Sequence, residues 1–354
     1  MIDYNGKTVY VGIDVHKKTY AVTCICEGVV VKTGSMTSSN EGLYRFLARY
    51  FPGATINSAY EAGFSGFVLH RYLVRQGINN RVVHAASIEI SARDRVKTDK
   101  RDSLKIAMQL SAGRLRGIRV PSIEREAYRE ITRLREKLGN DKRRVGNRVK
   151  SLLYRQGLIG AEKVPAVTKK WLEETVIDYQ GNESIKYVLE TLRDEWLNLH
   201  TQLKKIEEKL MRQAQNDAAI EMIYQSAPGI GPHHARVLAN ELEDMKHFTN
   251  EKQLFSFTGL TPSEYSSGEH KRQGHITRQG RSIIRRTLLL AAWVAIKKDN
   301  ALLKIFERIS KTAGKKRAII AIARRLIGRI RSCFMNGCLY ELNKSSTHSM
   351  VVAE

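Results

Sequence analysis

Four carboxylates stand out because their spacing could bring them together around metal ions. Asp14 ends an apolar run that predicts a first β-strand, and Glu61 ends a later run of the same kind. Asp99 and Asp102 are three positions apart, which places both on one face of a helix. Carboxylates placed this close together repel one another and need cations to neutralise their charge. Two Mg²⁺ ions about 4 Å apart would supply the charge and hold the attacking and leaving oxygens of a phosphodiester.

Each acid also has an ordinary structural interpretation. Asp14 could bond the amides of a turn, Asp99 could begin a helix, and Glu61 could be a solvated loop residue. Lys100 and Arg101 lie between the two helical acids and offer salt bridges as a competing use. The set of four is therefore more specific than any of its members.

A polar loop over residues 263–279 holds a second chemical candidate, the adjacent Ser266 and Ser267. Ser-Ser-Gly by itself is a turn. Side chains that could hold a phosphate follow it, namely Lys271, Arg272, His275 and Arg278. A serine nucleophile needs a base, and no Ser-His-Asp order is visible. A carboxylate or a metal-bound hydroxide from another part of the chain would have to serve.

A glycine-rich turn, Ala227-Pro228-Gly229-Ile230-Gly231-Pro232, separates two helical stretches. It resembles a helix-hairpin-helix turn, in which glycines let backbone N–H groups approach a DNA phosphate. Gly-rich turns between helices are common, so a purely structural turn is the alternative. We predict phosphate contacts at Gly229 and Gly231.

The charge of the chain indicates a polyanionic partner. Its 354 residues include 60 Lys and Arg against 36 Asp and Glu, a formal net charge of +24. The surplus is concentrated in residues 91–157, with a net +12, and in residues 269–331, with a net +15. Either block alone is equally well explained as a solvated helix face. Neutralising Arg285 and Arg286 is expected to weaken nucleic-acid binding and reduce its salt slope by about one for each phosphate that is no longer bound.

The elements that must position these residues differ along the chain. Apolar alternation predicts strands over residues 8–14, 19–26, 29–31, 56–60 and 81–84, with helices between and after them. Strands alternating with helices indicate a mixed α/β domain. The remainder reads as helical, with residues 157–182 as a loop or insertion. The predicted fold class is therefore α/β followed by all-α.

The helical middle contains a heptad seam. Apolar residues alternate at intervals of three and four over three heptads, at Leu189, Leu192, Trp196, Leu199, Leu203, Ile206 and Leu210. This pattern is typical of a coiled coil. Pairing between chains and packing of two helices within one chain explain it equally well.

Composition excludes several classes of protein. With 42% hydrophobic residues the chain is not wholly disordered. Its four cysteines form neither a disulfide framework nor a Cys-x-x-Cys zinc pair. The N-terminus lacks the apolar core of a signal peptide, and the longest apolar stretch, residues 288–296, is too short to cross a bilayer. We expect a soluble protein of the reducing cytoplasm that has no membrane partner. When bound to DNA it would be associated with the nucleoid.

Together these motifs resemble the DEDD transposases of bacterial insertion sequences, a family that includes pilin-gene invertases and bridge-RNA-guided recombinases. N-terminal motifs carrying the resemblance are Gly12-Ile13-Asp14-Val15-His16-Lys17, Tyr60-Glu61-Ala62-Gly63 and Lys97-Thr98-Asp99-Lys100-Arg101-Asp102. C-terminal ones are Pro228-Gly229-Ile230-Gly231, Gly259-Leu260-Thr261-Pro262, Ser267-Gly268 and Gly274-His275-Ile276-Thr277-Arg278-Gln279-Gly280. The resemblance covers roughly residues 8–157 and 222–310, in the family's order.

The resemblance implies four regions. These are a RuvC-like (RNase H-type) catalytic domain over residues 1–120, a coiled-coil helical region over 121–218, a helical C-terminal transposase domain with the serine loop over 219–340, and a tail over 341–354. It also implies Mg²⁺, or alternatively Mn²⁺, on the four acids, and a nucleophile that becomes covalently linked to DNA. Ser267 fits that role better than Ser266, because it directly precedes Gly268.

The family resemblance also implies partners. They are double-stranded donor and target DNA, a non-coding guide RNA that pairs with both, and further copies of the chain in a dimer or tetramer with composite sites. The leading hypothesis is a transposase that moves an insertion sequence through a serine-linked DNA intermediate. A RuvC-like hydrolytic nuclease such as a junction resolvase is the first alternative, and a non-catalytic nucleic-acid-binding protein is the second.

Overall fold

The computed structural model describes residues 3–89, 98–160, 166–265 and 273–343. It divides into two compact units, Met1–Ser122 and Ile123–Glu354. The first unit is built on a β-sheet and the second consists mainly of helices. The predicted mixed α/β region followed by a helical remainder is thus confirmed.

A five-stranded sheet forms the centre of the first unit. In chain order its strands are β1 (Thr8–Val15), β2 (Thr19–Cys26), β3 (Val29–Thr37), β4 (Thr55–Glu61) and β5 (Asn79–Val83). They lie in the order β3-β2-β1-β4-β5, with β1–β3 antiparallel and β4 and β5 parallel to β1. This sheet fits the RuvC-like domain that the resemblance implies.

Helices cover both faces of the sheet. The first face packs on α1 (Asn40–Tyr50) and α2 (Val68–Arg75), the second on α3 (Asp99–Ser111). Side chains alternate between faces along a strand, so Val9, Val11 and Ile13 of β1 are buried in the α1–α2 core. The intervening positions of β1 face α3, and these include Asp14.

The second unit begins with a long helical pair. Its elements are α4 (Ile123–Arg155), α5 (Lys169–Ile177), α6 (Glu183–Asn216), α7 (Ala218–Ser226), α8 (Pro232–Leu242), α9 (Glu251–Thr258), β6 (Pro262–Glu264), β7 (Gln273–Ile276), α10 (Ser282–Lys298), α11 (Asn300–Ala313) and α12 (Lys315–Asn336). Helices α4 and α6 pack against each other within one chain. The stretch 157–182, predicted as a loop or insertion, contains α5, whose Leu172 and Val176 are buried beside Trp196 of α6.

The predicted seam on α6 is buried at every seventh position. Leu189, Trp196, Leu203 and Leu210 are each at most 6% exposed. Near its C-terminus, α4 contributes Val145, Val149 and Leu152 to the same apolar cluster as Leu189 and Trp196. This intrachain pair accounts for the heptad pattern, and a coiled coil between protomers stays a prediction.

Ion pairs fix the first half of α4 to the helices that follow α6. Arg125 donates to Asp217 at 2.8 Å, and Arg133 donates to both carboxylate oxygens of Glu241 on α8. Arg236, only 2% exposed, lies between Asp217 and Glu221. Buried charges of this kind are tolerated only when paired, so the network requires one relative placement of α4, α7 and α8. In the part of the chain that is described, no helix has the length and apolar character of a membrane span.

Candidate active site

Gly12 allows α3 to lie directly on the sheet. A Cβ at this position would be 2.0 Å from the carbonyl oxygen of Ser103 and 2.4 Å from the backbone nitrogen of Ala107. No side chain larger than hydrogen fits at such distances. The interface is closed by a 2.9 Å hydrogen bond between the hydroxyls of Thr23 and Ser103. The start of α3 is therefore held beside the end of β1.

Two of the predicted acids lie at the C-terminal ends of neighbouring parallel strands. Ile13 of β1 is in register with Tyr60 of β4, so Asp14 and Glu61 occupy the next level of the two strands. Residues at one level of adjacent strands point to the same face. Glu61 is exposed, whereas the Asp14 side chain is 21% exposed. The sheet thus brings Asp14 and Glu61 to the edge where α3 begins.

The other two acids lie in the first turn of α3. Thr98 is the N-cap, and its hydroxyl accepts a hydrogen bond from the backbone N–H of Arg101 at 3.3 Å. This cap starts the helix so that Asp99 and Asp102 both fall in its first turn. A helix N-terminus favours negative charge, which offsets part of the repulsion between the two carboxylates.

His16 connects the strand acid to the helix acid. Its Nε2 atom lies 3.1 Å from Oδ2 of Asp14 and 3.3 Å from Oδ1 of Asp99. These three residues form a group that could hold a metal ion, each offering one ligand atom within 4.8 Å of the others. His16 belongs to the Gly12–Lys17 motif but was not among the predicted site residues. Its position two residues after Asp14, which alternation along an extended chain would put on the side of Asp14, was the signal that could have identified it.

Burial and neighbouring acids change the acidity of Asp14. Its pKa is raised mainly because burial disfavours the charged carboxylate. The imidazole of His16 opposes this shift, while the negative charges of Asp102 and Asp99 add to it. Asp14, Asp99 and Asp102 are therefore close enough to repel one another.

Asp102 has a cationic neighbour that sequence reasoning also missed. Nζ of Lys105 lies 3.3 Å from Oδ1 of Asp102, one helical turn further along α3. Both side chains are less than a quarter exposed. The i, i+3 spacing could have suggested this pair. The structure thus brings Asp14, Asp99 and Asp102 together with His16 and Lys105, and it places Glu61 on the adjoining strand.

The serine loop is a β-hairpin at its base. Strands β6 and β7 pair in antiparallel fashion, and the N–H of Thr277 donates to the carbonyl of Thr261 at 2.8 Å. The predicted Ser266, Ser267, Lys271 and Arg272 lie outside the described residues. His275 lies on β7 and Arg278 follows this strand, and both residues are exposed. The catalytic and phosphate-binding roles of this loop stay predictions.

Arg285 joins the base of this hairpin to the helices around it. Its Nη1 atom donates to three backbone carbonyls, those of Thr258 at 3.4 Å, Gln279 at 3.1 Å and Gly280 at 3.0 Å. Arg286 instead pairs with Glu136 of α4 at 2.8 Å. Both predicted nucleic-acid-binding residues therefore also have partners within the chain, and their binding to phosphate stays a prediction.

We expect Arg285→Gln to lower the free energy of unfolding by about 1–3 kcal/mol, because three carbonyl oxygens would be deprived of a charged donor. Urea unfolding measures this loss, and Arg281→Gln, an exposed position at the start of α10, is the matched control. Equal stability of the two variants would contradict the stabilisation of the hairpin base by Arg285.

The salt slope of DNA binding, measured on the same proteins, tests phosphate binding separately. The slope falls by about one for each phosphate that the variant no longer neutralises.

The glycine-rich turn precedes α8. Gly229 has a φ of +82° and packs on α10, since a Cβ there would be 2.6 Å from the carbonyl oxygen of Ala291. Gly231 is the exposed N-cap of α8, and a Cβ there would meet open space. The pKa of His233, the second residue of α8, is lowered to about 4, mainly by burial and to a smaller extent by the positive charge of Arg135. Gly229 thus has a packing reason to be glycine, while Gly231 leaves the helix N-terminus open.

Comparison with known protein families gives two matches. Residues 11–156 match the model of the DEDD transposases of the IS110 type, described as "Transposase". Residues 222–308 match a second model, described as "Transposase IS116/IS110/IS902 family". The first match contains all four acids and the second contains the glycine-rich turn and the serine loop.

Several curated proteins are similar over most of their length. A protein of Sinorhizobium fredii named "Putative transposase y4rJ" is 29% identical, and the alignment covers 90% of both chains. The "Transposase for insertion sequence element IS1533" of Leptospira borgpetersenii is 28% identical over 71% of this chain and 75% of its own. The "Transposase for insertion sequence element IS1111A" of Coxiella burnetii is 25% identical over 72% and 71%.

Proposed function

The chain belongs to the DEDD transposases of IS110-type insertion sequences, and on that premise we propose that this DNA transposase cuts and exchanges DNA strands through a serine-linked intermediate that depends on Mg²⁺. The single observation that supports this most strongly is the convergence of Asp14, Asp99 and Asp102 at one end of the sheet. Three carboxylates in repulsive proximity are costly without a cation.

The donor set fits a divalent ion of the Mg²⁺ type. Such ions prefer carboxylate oxygens, and Mn²⁺ shares the preference. We assign Asp14, Glu61, Asp99 and Asp102 as the residues that would hold it. When bound, a divalent ion would lower the pKa of an attacking hydroxyl and neutralise charge on the phosphate.

Ser267 is the proposed nucleophile. Its hydroxyl oxygen attacks a DNA phosphorus and the bond from phosphorus to a sugar oxygen breaks. The serine proton passes to a carboxylate base, which then gives it to the departing sugar oxygen to form a hydroxyl. The phosphoserine bond keeps the energy of the broken phosphodiester. A hydroxyl of a second strand can then attack the same phosphorus, which joins the strands and restores the serine.

The proposed substrates are double-stranded donor and target DNA, held at Gly229, Gly231, Lys271, Arg272, Arg278, Arg285 and Arg286. A non-coding guide RNA would supply the sequence specificity, as the +24 charge and the likeness to the guided members of the family suggest. We also propose a dimer or tetramer, a helical middle over residues 121–218 and a transposase domain over 219–340.

The experiment is a search for a covalent protein–DNA adduct. The protein is expressed with the DNA that flanks its gene, supplied with Mg²⁺, denatured, digested with trypsin and mapped by mass spectrometry. We expect a nucleotide on the peptide of residues 253–271, which contains both Ser266 and Ser267. Ser266→Ala is the matched control and should keep the adduct, whereas Ser267→Ala should lose it.

The other outcomes identify the two alternatives. Cleaved DNA with free phosphate ends and no adduct would indicate a hydrolytic nuclease in which water attacks. Salt-sensitive binding with no cleavage in Mg²⁺ or Mn²⁺ would indicate a non-catalytic nucleic-acid-binding protein. An adduct retained by Ser267→Ala and lost by Ser266→Ala would move the nucleophile by one residue.

A further inference from the structure

The second half of α4 presents a basic groove to solvent. The groove has a volume of about 380 Å³ and is lined by Arg144, Asn147, Arg148, Ser151 and Arg155. Arg144, Arg148, Ser151 and Arg155 follow one another at intervals of four, three and four, so they share one face of the helix, and Asn147 lies beside Arg148. The three arginines are exposed. Arg144 and Arg148 are about one helical turn apart, and Arg148 and Arg155 are about two turns apart. This spacing suits contacts with phosphates of an extended strand.

Nearby acids neutralise this groove only in part. Arg144 pairs with Asp141 on its own helix, and Nη1 of Arg148 lies 3.7 Å from Oε2 of Glu195. Exposed pairs of this kind contribute little to folding and exchange readily for other anions. Within the described ranges Arg155 pairs with no carboxylate. The groove therefore keeps a net positive charge.

A second cavity is lined partly by residues at the C-terminal end of α4, next to the groove-lining Arg155. It has a volume of about 630 Å³, within the range of roughly 300–1,000 Å³ found for small-ligand sites. Gln156, the residue after Arg155, is one of its lining residues, and Trp171 and Tyr179 supply aromatic surface. Thr175, Asp178, Gln180 and Asn182 supply polar groups. The cavity thus combines aromatic rings with side-chain amides, and Asp178 is the single acid among the lining residues that the structure describes.

The aromatic surface of the cavity is held in place. Trp171 is partly exposed, and the adjoining Leu172 is fully buried. The Tyr179 ring lies against Gly181, where a Cβ would be 2.4 Å from its hydroxyl oxygen. Tyr179 itself is 7% exposed. Tyr179 is therefore fixed in the cavity wall, and Trp171, packed against the same apolar cluster, keeps the partly exposed ring on which a flat partner can stack.

We propose that this surface binds a single strand of nucleic acid, with its phosphates along the groove and one unpaired base in the cavity. Single-stranded nucleic acids are bound in this way, by a positive track for the backbone and aromatic side chains for the bases. The amides of Gln156 and Gln180 can hydrogen-bond the polar edge of a base. A duplex offers no free base, so the cavity would contribute nothing to duplex binding.

The test is photo-cross-linking to the full-length protein. The probe is a short single strand carrying one 4-thio-pyrimidine, made once as RNA and once as DNA, and the same strand annealed to its complement. Trypsin cuts after Lys170 and Lys186, so one peptide, residues 171–186, contains Trp171, Thr175, Asp178, Tyr179, Gln180 and Asn182. We expect the single strand to cross-link to this peptide and the duplex not to do so. The stronger of the RNA and DNA signals identifies the natural strand.

Two sets of variants separate the groove from the cavity. Changing Arg144, Arg148 and Arg155 to Gln should reduce the cross-link about tenfold and lower the salt slope of single-strand binding by about two. The matched control changes Lys205, Lys209 and Arg212, which are exposed on α6, to Gln and should change neither. Trp171→Leu should reduce the cross-link about tenfold and leave the slope unchanged. Gln156→Leu, at an exposed position, gives a second cavity variant that does not touch the core.

Two results would overturn the proposal. One is equal cross-linking of the duplex and the single strand to residues 171–186, and the other is equal loss in the arginine variant and its lysine-rich control. Either result would leave the serine chemistry untouched, because that chemistry is measured as an adduct on a different peptide. The proposal goes beyond strand exchange and does not rest on it.

Discussion

Asp102→Asn should reduce DNA cleavage and strand exchange by roughly a thousand-fold, because removing one fixed group that stabilises transition-state charge typically costs about 10²–10³ in rate. The substitution keeps the shape of the side chain and removes its negative charge. Asp102 lies in the first turn of α3, near enough to Asp14 for its charge to raise the pKa of that carboxyl. Single-turnover cleavage of DNA from the flanks of the gene measures the effect.

The matched control for this loss is Glu41→Gln. Glu41 is likewise an acid in the first turn of a helix, but it lies on α1, on the other face of the sheet. It should leave cleavage unchanged, and both variants should bind DNA as tightly as the wild type. Normal cleavage by Asp102→Asn, or an equal loss of cleavage in Glu41→Gln, would contradict a role for the Asp102 carboxylate in the reaction. Thermal melting distinguishes a lost site from a lost fold.

Gly12→Ala should damage the site without changing any of its ligands. The added methyl group would meet the backbone of Ser103 and Ala107 at 2.0 and 2.4 Å, so α3 must move away from β1. Overpacking of this kind costs about 1–3 kcal/mol of stability. Because α3 carries Asp99 and Asp102, a displacement of about 1 Å could also cost about a hundred-fold in rate.

Gly34→Ala is the control for Gly12→Ala. Gly34 lies on β3 of the same sheet, and a Cβ there would meet only the Phe46 ring, at 3.4 Å. Urea unfolding and the cleavage rate, measured on both proteins, separate a general cost of alanine from the specific clash with α3. Wild-type stability and activity in Gly12→Ala would contradict the close approach of strand and helix.

The strands and helices of the first unit were predictable because their signals are local. The alternation of Val9, Val11 and Ile13 identifies one buried face, and it leaves Asp14 on the other. The spacing of Asp99 and Asp102 gave their common face on α3. In the middle of the chain, Leu189, Trp196 and their heptad partners predicted the buried seam of α6.

The interactions that assemble the candidate site were not predictable, because they depend on residues far apart in the chain. A glycine in a strand does not reveal that Ser103 will lie against it. The bridge from His16 to Asp99 depends on how α3 meets β1, which no spacing specifies. The helix α5 was missed because Gly157, Gly160 and Gly181 dominate the composition of its surroundings.

The long helix α4 connects two parts of the second unit. Its 33 residues give a rod about 50 Å long at about 1.5 Å per residue. Ion pairs hold one end to α8, and the apolar seam with α6 stiffens the other. A rod clamped in this way transmits displacement instead of absorbing it. We expect a force applied at Arg155 to be transmitted to the other end of the rod, where Arg133 pairs with Glu241 of the helix that begins after Gly231.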